Sequence, residues 1–146
     1  MTPIKIALAS DHAGYTTKED IKRYLEGLGH QVWDFGTHSE ESVDYPDFAH
    51  PLAIAVERGE YTLGFLFCGS GNGVSITANK HQGIRSALCW NAEIASLARQ
   101  HNNANVCAIP ARFVSTSEAH QIVRAFLDAK FEGGRHQNRV DKIPVK

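Results

Sequence analysis

The sequence predicts a single α/β domain, a three-layer α/β/α Rossmann-like fold with a five-stranded parallel sheet. Short apolar runs of strand type alternate with segments of helical period, and repeats of roughly 30 residues of this kind build right-handed βαβ units around parallel strands. Two of the runs end in turns carrying glycine and chemically active side chains, as loops at the carboxyl edge of such a sheet do. The length, 146 residues with 42% hydrophobic, suits one core and not two. Residues 1–146 are therefore read as one domain, with residues 132–146 as a polar, basic C-terminal tail.

From the N-terminus, residues 4–10 (IKIALAS) read as a buried strand that ends in the turn Asp11-His12-Ala13-Gly14. Thr16 and Glu19 have capping-box spacing, and Ile21, Tyr24, Leu25 and Leu28 then repeat at helical period before Gly29. Residues 31–35 form a second strand. The polar loop after it runs from Gly36 to Pro46, long enough to suggest binding, with Asp44-Tyr45-Pro46 at its tip. Residues 48–58 are rich in alanine and apolar side chains and read as helix, 63–67 as the third strand, and 74–80 as a short helix. A fourth strand over 84–89, a helix over 91–100 and a fifth strand over 104–109 continue the alternation. Ser115 with Glu118 caps the last helix, whose Ala119, Ile122, Val123 and Phe126 share one face.

Charge and composition exclude several classes. A formal net charge of −1 with no long basic run removes the electrostatic motive for nucleic-acid binding. No apolar run approaches the roughly 20 residues of a membrane span, and the first residues lack a signal-peptide pattern, so a cytoplasmic protein is expected. Cys68, Cys89 and Cys107 are odd in number and widely spaced, which argues for reduced thiols and against a disulfide framework.

The most informative stretch is the third strand with the turn after it. The apolar run LGFLF delivers Cys68 directly onto Gly69-Ser70-Gly71-Asn72-Gly73. Alternating glycines let backbone N–H groups face a common concavity, a setting that binds anions and favours a thiolate, so Cys68 is a candidate base or nucleophile. Cys89 and Cys107 lack that setting and read as packing residues. In doubly wound sheets the ligand sits where strand order reverses, commonly between the first and third strands. That rule brings Asp11 and His12 to Cys68. The glycine loop is not the dinucleotide fingerprint: it does not follow the first strand, no acidic residue stands at the ribose offset, and the lysine of a phosphate-binding P-loop is missing.

His101, in the polar stretch Arg99-Gln100-His101-Asn102-Asn103-Ala104-Asn105 that feeds strand five, is placed by this reading at the same sheet edge, within catalytic reach and suited to proton exchange near neutral pH. Arg135 and Arg139 stand four residues apart in the tail, and Arg112 follows strand five; guanidinium groups match phosphate oxygens. No CxxC, HxxxH or HExxH spacing is present, so no metal is assigned. Cys68, His101 and Asp11 also supply the residue types of a Cys-His-acid hydrolase, which stays open here.

The combination of Ala9-Ser10-Asp11-His12-Ala13-Gly14, Asp44-Tyr45-Pro46, Cys68-Gly69-Ser70-Gly71-Asn72-Gly73, Ala78-Asn79-Lys80, Arg99-Gln100-His101-Asn102 and Gly134-Arg135-His136 closely resembles type B ribose-5-phosphate isomerases over nearly the whole chain. The galactose-6-phosphate isomerase subunits share part of the pattern. The resemblance implies a cofactor-independent aldose–ketose isomerase that interconverts D-ribose 5-phosphate and D-ribulose 5-phosphate through an enediolate, in the pentose phosphate pathway. By the same resemblance Cys68 moves the proton between C2 and C1, while Ser70 and the amides of Gly69, Gly71, Asn72 and Gly73 steady the oxyanion. His101 opens the sugar ring, Asp11 and Asn102 contact and orient the sugar, Tyr45 borders the pocket, and His12, Arg112, Arg135 and Arg139 hold the phosphate. A branch of the family carries a glutamate base just after the glycine loop. This chain has Val74 there, so the cysteine branch is implied. The resemblance further implies a homodimer or tetramer with active sites at the subunit interface. A hexose 6-phosphate (galactose or allose 6-phosphate) is the rival substrate, and a non-catalytic sugar-phosphate sensor the rival function.

Overall fold

The computed structural model describes residues 2–146. Its strands are β1 (Lys5–Ser10), β2 (Gln31–Asp34), β3 (Leu63–Cys68), β4 (Ser86–Leu88) and β5 (Val106–Pro110). Its helices are α1 (Tyr15–Gly27), α2 (Pro46–Glu57), α3 (Asn72–Ala78), α4 (Ala92–Asn102), α5 (Thr116–Asp128) and α6 (Arg135–Asp141). The five strands are all parallel and lie in the order β2-β1-β3-β5-β4, so strand order reverses between β1 and β3. Register pairs Ser10 with Phe67 and Cys68 with Pro110, which aligns the carboxyl ends of the three central strands.

Residues 6–9 of β1 and the whole of β3 and β5 are apolar because helices cover both faces of the sheet. On one face Ile21 and Leu25 of α1, Ala95 of α4, and Ile122 and Phe126 of α5 pack over Phe65 and Phe67. On the other, Leu52 and Val56 of α2 with Val74 and Ala78 of α3 pack over Ala7, Ala9 and Leu66. The two-residue period of a strand then sends Cys68 to the α2–α3 side with Leu66. The predicted three-layer α/β/α fold is the one observed. No helix among the described residues is long and apolar enough to cross a membrane.

Several boundaries move, each for a local reason. The Thr16–Glu19 capping box does not form: α1 starts earlier, with Gly14 as its N-cap, while Thr16 Oγ1 donates to Glu40 and Glu19 accepts from Lys18 Nζ. α2 begins at Pro46, whose fixed φ suits a first helical position. β4 keeps only three residues of the expected 84–89, because the Ile84 amide closes a turn onto the His81 carbonyl. The expected loop around His101 is helix, since α4 runs on to Asn102, and part of the basic tail folds as α6. The Ser115–Glu118 box is present in both directions, at 3.1 and 2.8 Å.

One buried ion pair ties α1 to the sheet. The Lys18 side chain is fully enclosed and its ammonium donates to the Asp34 carboxylate at 2.5 Å, while the other Asp34 oxygen accepts from the Gly36 amide at 2.8 Å.

Candidate active site

The carboxyl ends of β1, β3 and β5 open into a cleft of about 520 Å³ lined by Asp11, His12, Tyr45, Cys68, Ser70 and Arg112, with Ala13, Gly69, Gly73 and Phe113 completing the wall. The backbone brings the first two loops together. The Asp11 amide donates to the Phe67 carbonyl at 3.3 Å, and the Asp11 carboxylate accepts from the Gly14 amide at 3.1 Å. Gly14 sits so close to the Phe67 carbonyl that no side chain fits there. The convergence of Asp11-His12 with Cys68, expected from topology alone, is therefore enforced by direct main-chain contact.

His12 is oriented from the long polar loop. The Val43 amide donates to His12 Nδ1 at 3.2 Å, so in the neutral ring the proton resides on Nε2, which is left to donate to a ligand. Cys68 ends β3 almost fully enclosed, with only 5% of its surface exposed. The carbonyls of Cys68 and Gly69 accept from the amides of Ala111 and Arg112 at 2.9 and 3.0 Å, so the turn after β5 is sewn to the turn after β3. This places the Arg112 guanidinium across Gly69, where an added Cβ would lie 3.1 Å from Nη1.

The glycine loop curls through Gly71, whose φ of +76° is the left-handed conformation that glycine alone adopts freely. The amides of Gly69, Ser70 and Gly71 donate to no protein acceptor among the described residues, which leaves them available to an anion. Ser70 Oγ accepts from the Asn72 amide at 3.3 Å. Tyr45 lies over Gly73, where a Cβ would come within 2.6 Å of its ring. Gly71 itself packs inward against Leu88 and Pro110, and Asn72 lines an adjoining hollow with Trp90 and Phe113.

Four predicted site residues are elsewhere. His101 and Asn102 occupy the last turn of α4, which leaves the carboxyl end of β4 and returns to the amino end of β5. Arg85, just before β4, donates through Nε to the Asn102 carbonyl at 3.1 Å, which fixes this turn at the amino edge of the sheet. The expectation that His101 shares an edge with Cys68 is thus corrected: a crossover helix carries the chain the length of the sheet. Arg135 and Arg139 lie on α6, which packs beside α4 through His136 stacked on His101. A Cys68–His101–Asp11 triad does not form within one chain.

At that second locus the imidazoles of His101 and His136 are parallel, their centroids 4.3 Å apart at 9°, and Glu132 Oε1 stands 3.8 and 3.5 Å from their Nε2 atoms. Cys89 and Cys107 are free thiols enclosed in the core, and burial pushes the Cys107 thiol well above its ordinary range. Gly14 stands in the predicted turn, but its close packing on Phe67 is a tertiary contact the turn motif does not carry, and Phe113 of the cleft wall has no signal in the sequence beyond an aromatic beside Arg112.

Comparison with known proteins places these features in context. A family model described as Ribose/Galactose Isomerase matches residues 6–143. The chain is 48% identical over 139 residues to ribose-5-phosphate isomerase B of Escherichia coli K12, covering 95% of this chain and 93% of that one. Its fold matches a ribose 5-phosphate isomerase of Thermotoga maritima with a TM-score of 0.95 and 50% identity, covering 97% of each chain. It also matches ribose-5-phosphate isomerase B of Mycoplasma genitalium with bound ribulose-5-phosphate, with a TM-score of 0.92 and 47% identity over 95% of this chain and 93% of that one.

Proposed function

We propose, because this chain belongs to the ribose/galactose isomerase family, that it interconverts D-ribose 5-phosphate and D-ribulose 5-phosphate without a cofactor. The observation that carries the reading is the lining of one cleft: a thiol, a hydroxyl, free backbone amides, an outward-facing imidazole N–H and a guanidinium converge at the β1–β3 switch point. His12 Nε2 and Arg112 hold the phosphate. That remote anchor sets C1 and C2 of the open-chain sugar against Cys68, so binding energy is converted into orientation.

Cys68, as thiolate, takes the C2 proton of the aldose. The electron pair moves into the C1–C2 bond and on to O1, forming an enediolate whose charge Ser70 and the loop amides steady. The proton returns to C1 while the O2 hydroxyl gives its proton to O1, so substrate and product are isomers and the enzyme ends unchanged. Asp11 binds sugar hydroxyls from the floor of the cleft.

The ring-opening acid and two phosphate-binding arginines come from a second copy. Within one chain His101, Asn102, Arg135 and Arg139 are stranded at the opposite sheet edge, and beside the Cys68 cleft Phe113 and Trp90 are 75% and 53% exposed. An apolar rim on one edge and an orphaned acid-and-arginine cluster on the other suit a homodimer or larger assembly that joins the two halves. The reading includes a cytoplasmic setting, which suits three free thiols.

The test is turnover of ribose 5-phosphate by wild type and Cys68→Ala, with galactose 6-phosphate and allose 6-phosphate in parallel. Pentose turnover that falls by about 10²-fold or more in the variant supports substrate and base together. Hexose-only turnover moves the substrate to a 6-phosphate, and binding without any turnover makes the protein a sensor.

A further inference from the structure

We infer that His101, Glu132 and His136 form a binding site for a divalent transition metal of the zinc class, and that a metal held there arrests the isomerase by occupying His101. The arrest rests on the acid role proposed above; the binding does not.

The three side chains come from separate pieces of chain locked to one another. His101 projects from the last turn of α4. Glu132 is pinned beside it because its amide donates to the Gln100 carbonyl at 3.0 Å, and His136 stands in the first turn of α6 with its amide on the Gly133 carbonyl. The stacked rings are parallel and both Nε2 atoms approach the same carboxylate oxygen, so the three potential ligand atoms lie within 4.8 Å of one another. Zinc bonds of about 2.0–2.1 Å in a tetrahedron put ligand atoms roughly 3.4 Å apart. The observed 3.5 and 3.8 Å separations from Glu132 are near that value; the in-plane lone pairs of the parallel rings do not meet, so on binding His101, the more exposed of the two rings, turns out of the stack to bring its Nε2 onto the shared ion.

The same distances are too long for hydrogen bonds, so the carboxylate is not already engaged by either ring. The protein's other histidine cluster differs in this respect. His50 and His81 are joined directly at 2.7 Å, and the Glu57 carboxylate beside them accepts from the Gly83 amide at 2.5 Å. Two imidazoles and one carboxylate match the preferences of zinc, nickel and copper ions, and three protein ligands leave a position for water, as in a reversible site. Spacing motifs do not reveal the set, because His101 belongs to another helix.

Calorimetric titration of the metal-free protein with Zn²⁺ tests the site, with Co²⁺ absorption as a second readout. One metal per chain is expected, with affinity at least tenfold weaker in Glu132→Gln and His136→Ala and maintained in Cys68→Ser and His81→Ala. Circular dichroism shows whether the variants fold, and metal-free turnover adds a second check for Glu132→Gln, His136→Ala and His81→Ala. Affinity that survives in His136→Ala, or that vanishes in Cys68→Ser or His81→Ala, overturns the site. Zn²⁺ should also silence wild-type turnover, reversibly with chelator, at concentrations that His136→Ala withstands. Full turnover of the zinc-bound wild type overturns the arrest. Metal-free turnover of His101→Ala separately reports the acid role, so a failure there is distinguishable from a failure of the metal site.

Discussion

The Asp11 amide donates to the Phe67 carbonyl at 3.3 Å, a main-chain bond that brings the turn after β1 onto the strand that ends in Cys68. Gly14 makes the approach possible, since any Cβ there would press into the Phe67 carbonyl. Gly14→Ala is expected to destabilise the fold by about 1–3 kcal/mol through overpacking and to lower turnover. Urea unfolding and steady-state kinetics measure both; an unchanged midpoint with normal turnover would remove Gly14 from the account.

Two inactive variants should rescue one another. Cys68→Ala and His101→Ala damage opposite edges, so in a mixed dimer of the proposed kind, with each site shared between subunits, one of the two sites would carry both lesions and the other neither. Unfolding and refolding an equal mixture is expected to restore about a quarter of wild-type activity by random pairing. A mixture as inactive as its parents, in the presence of proven subunit exchange, would place both residues in a site made by one chain.

Lys18 and Asp34 form a buried pair in which removal of one partner leaves the other charge enclosed. Asp34→Leu should cost about 3–5 kcal/mol, and Lys18→Met with Asp34→Leu together much less than either alone. Denaturant midpoints of the two single variants and the double variant form the cycle that decides it.

His30 predicts an acid-side loss of stability. Its Nδ1 accepts from the Ile4 amide at 3.1 Å, and burial lowers its pKa from the ordinary 6.5, so the folded state favours the neutral ring. The unfolded chain binds the proton more readily. The stabilisation is therefore complete above about pH 6.5 and is lost progressively as pH falls through the lowered folded value. Thermal melts from about pH 7.5 to 5 should show the decline, and His30→Met should flatten it; an equal slope in the variant assigns the decline to other groups.

Ser115 caps α5 with a reciprocal box to Glu118, and Ser115→Ala should cost about 1 kcal/mol. Because the cap is remote from the cleft, kinetics at a temperature well below unfolding are expected to stay at the wild-type level.

Much of this protein is legible in the residue order because its strands are local signals. The runs that became β3 and β5 are apolar throughout and that of β1 is apolar over residues 6–9, which only a sheet covered on both faces permits, and Ser115-x-x-Glu118 satisfies its own amides without help from elsewhere. The pairing of Asp11-His12 with Cys68 follows from the strand order of doubly wound sheets. Helix starts were less legible: Thr16 and Glu19 have the spacing of a box, but the close packing of Gly14 on Phe67 starts α1 earlier.

By itself the sequence determined the layered fold, the thiol on its glycine turn and the loops that meet it, since each depends on local propensity and on the alternation of strand and helix. The tertiary structure alone decided where His101 goes. A crossover helix returns the chain to the amino edge, so that residues adjacent to a strand in sequence are a sheet length away from its carboxyl end. It also decided the proton position on His12, the Lys18–Asp34 pair and the cluster of His101, Glu132 and His136. Each of these depends on contacts between distant segments, whose geometry is set by packing and has no signature in spacing.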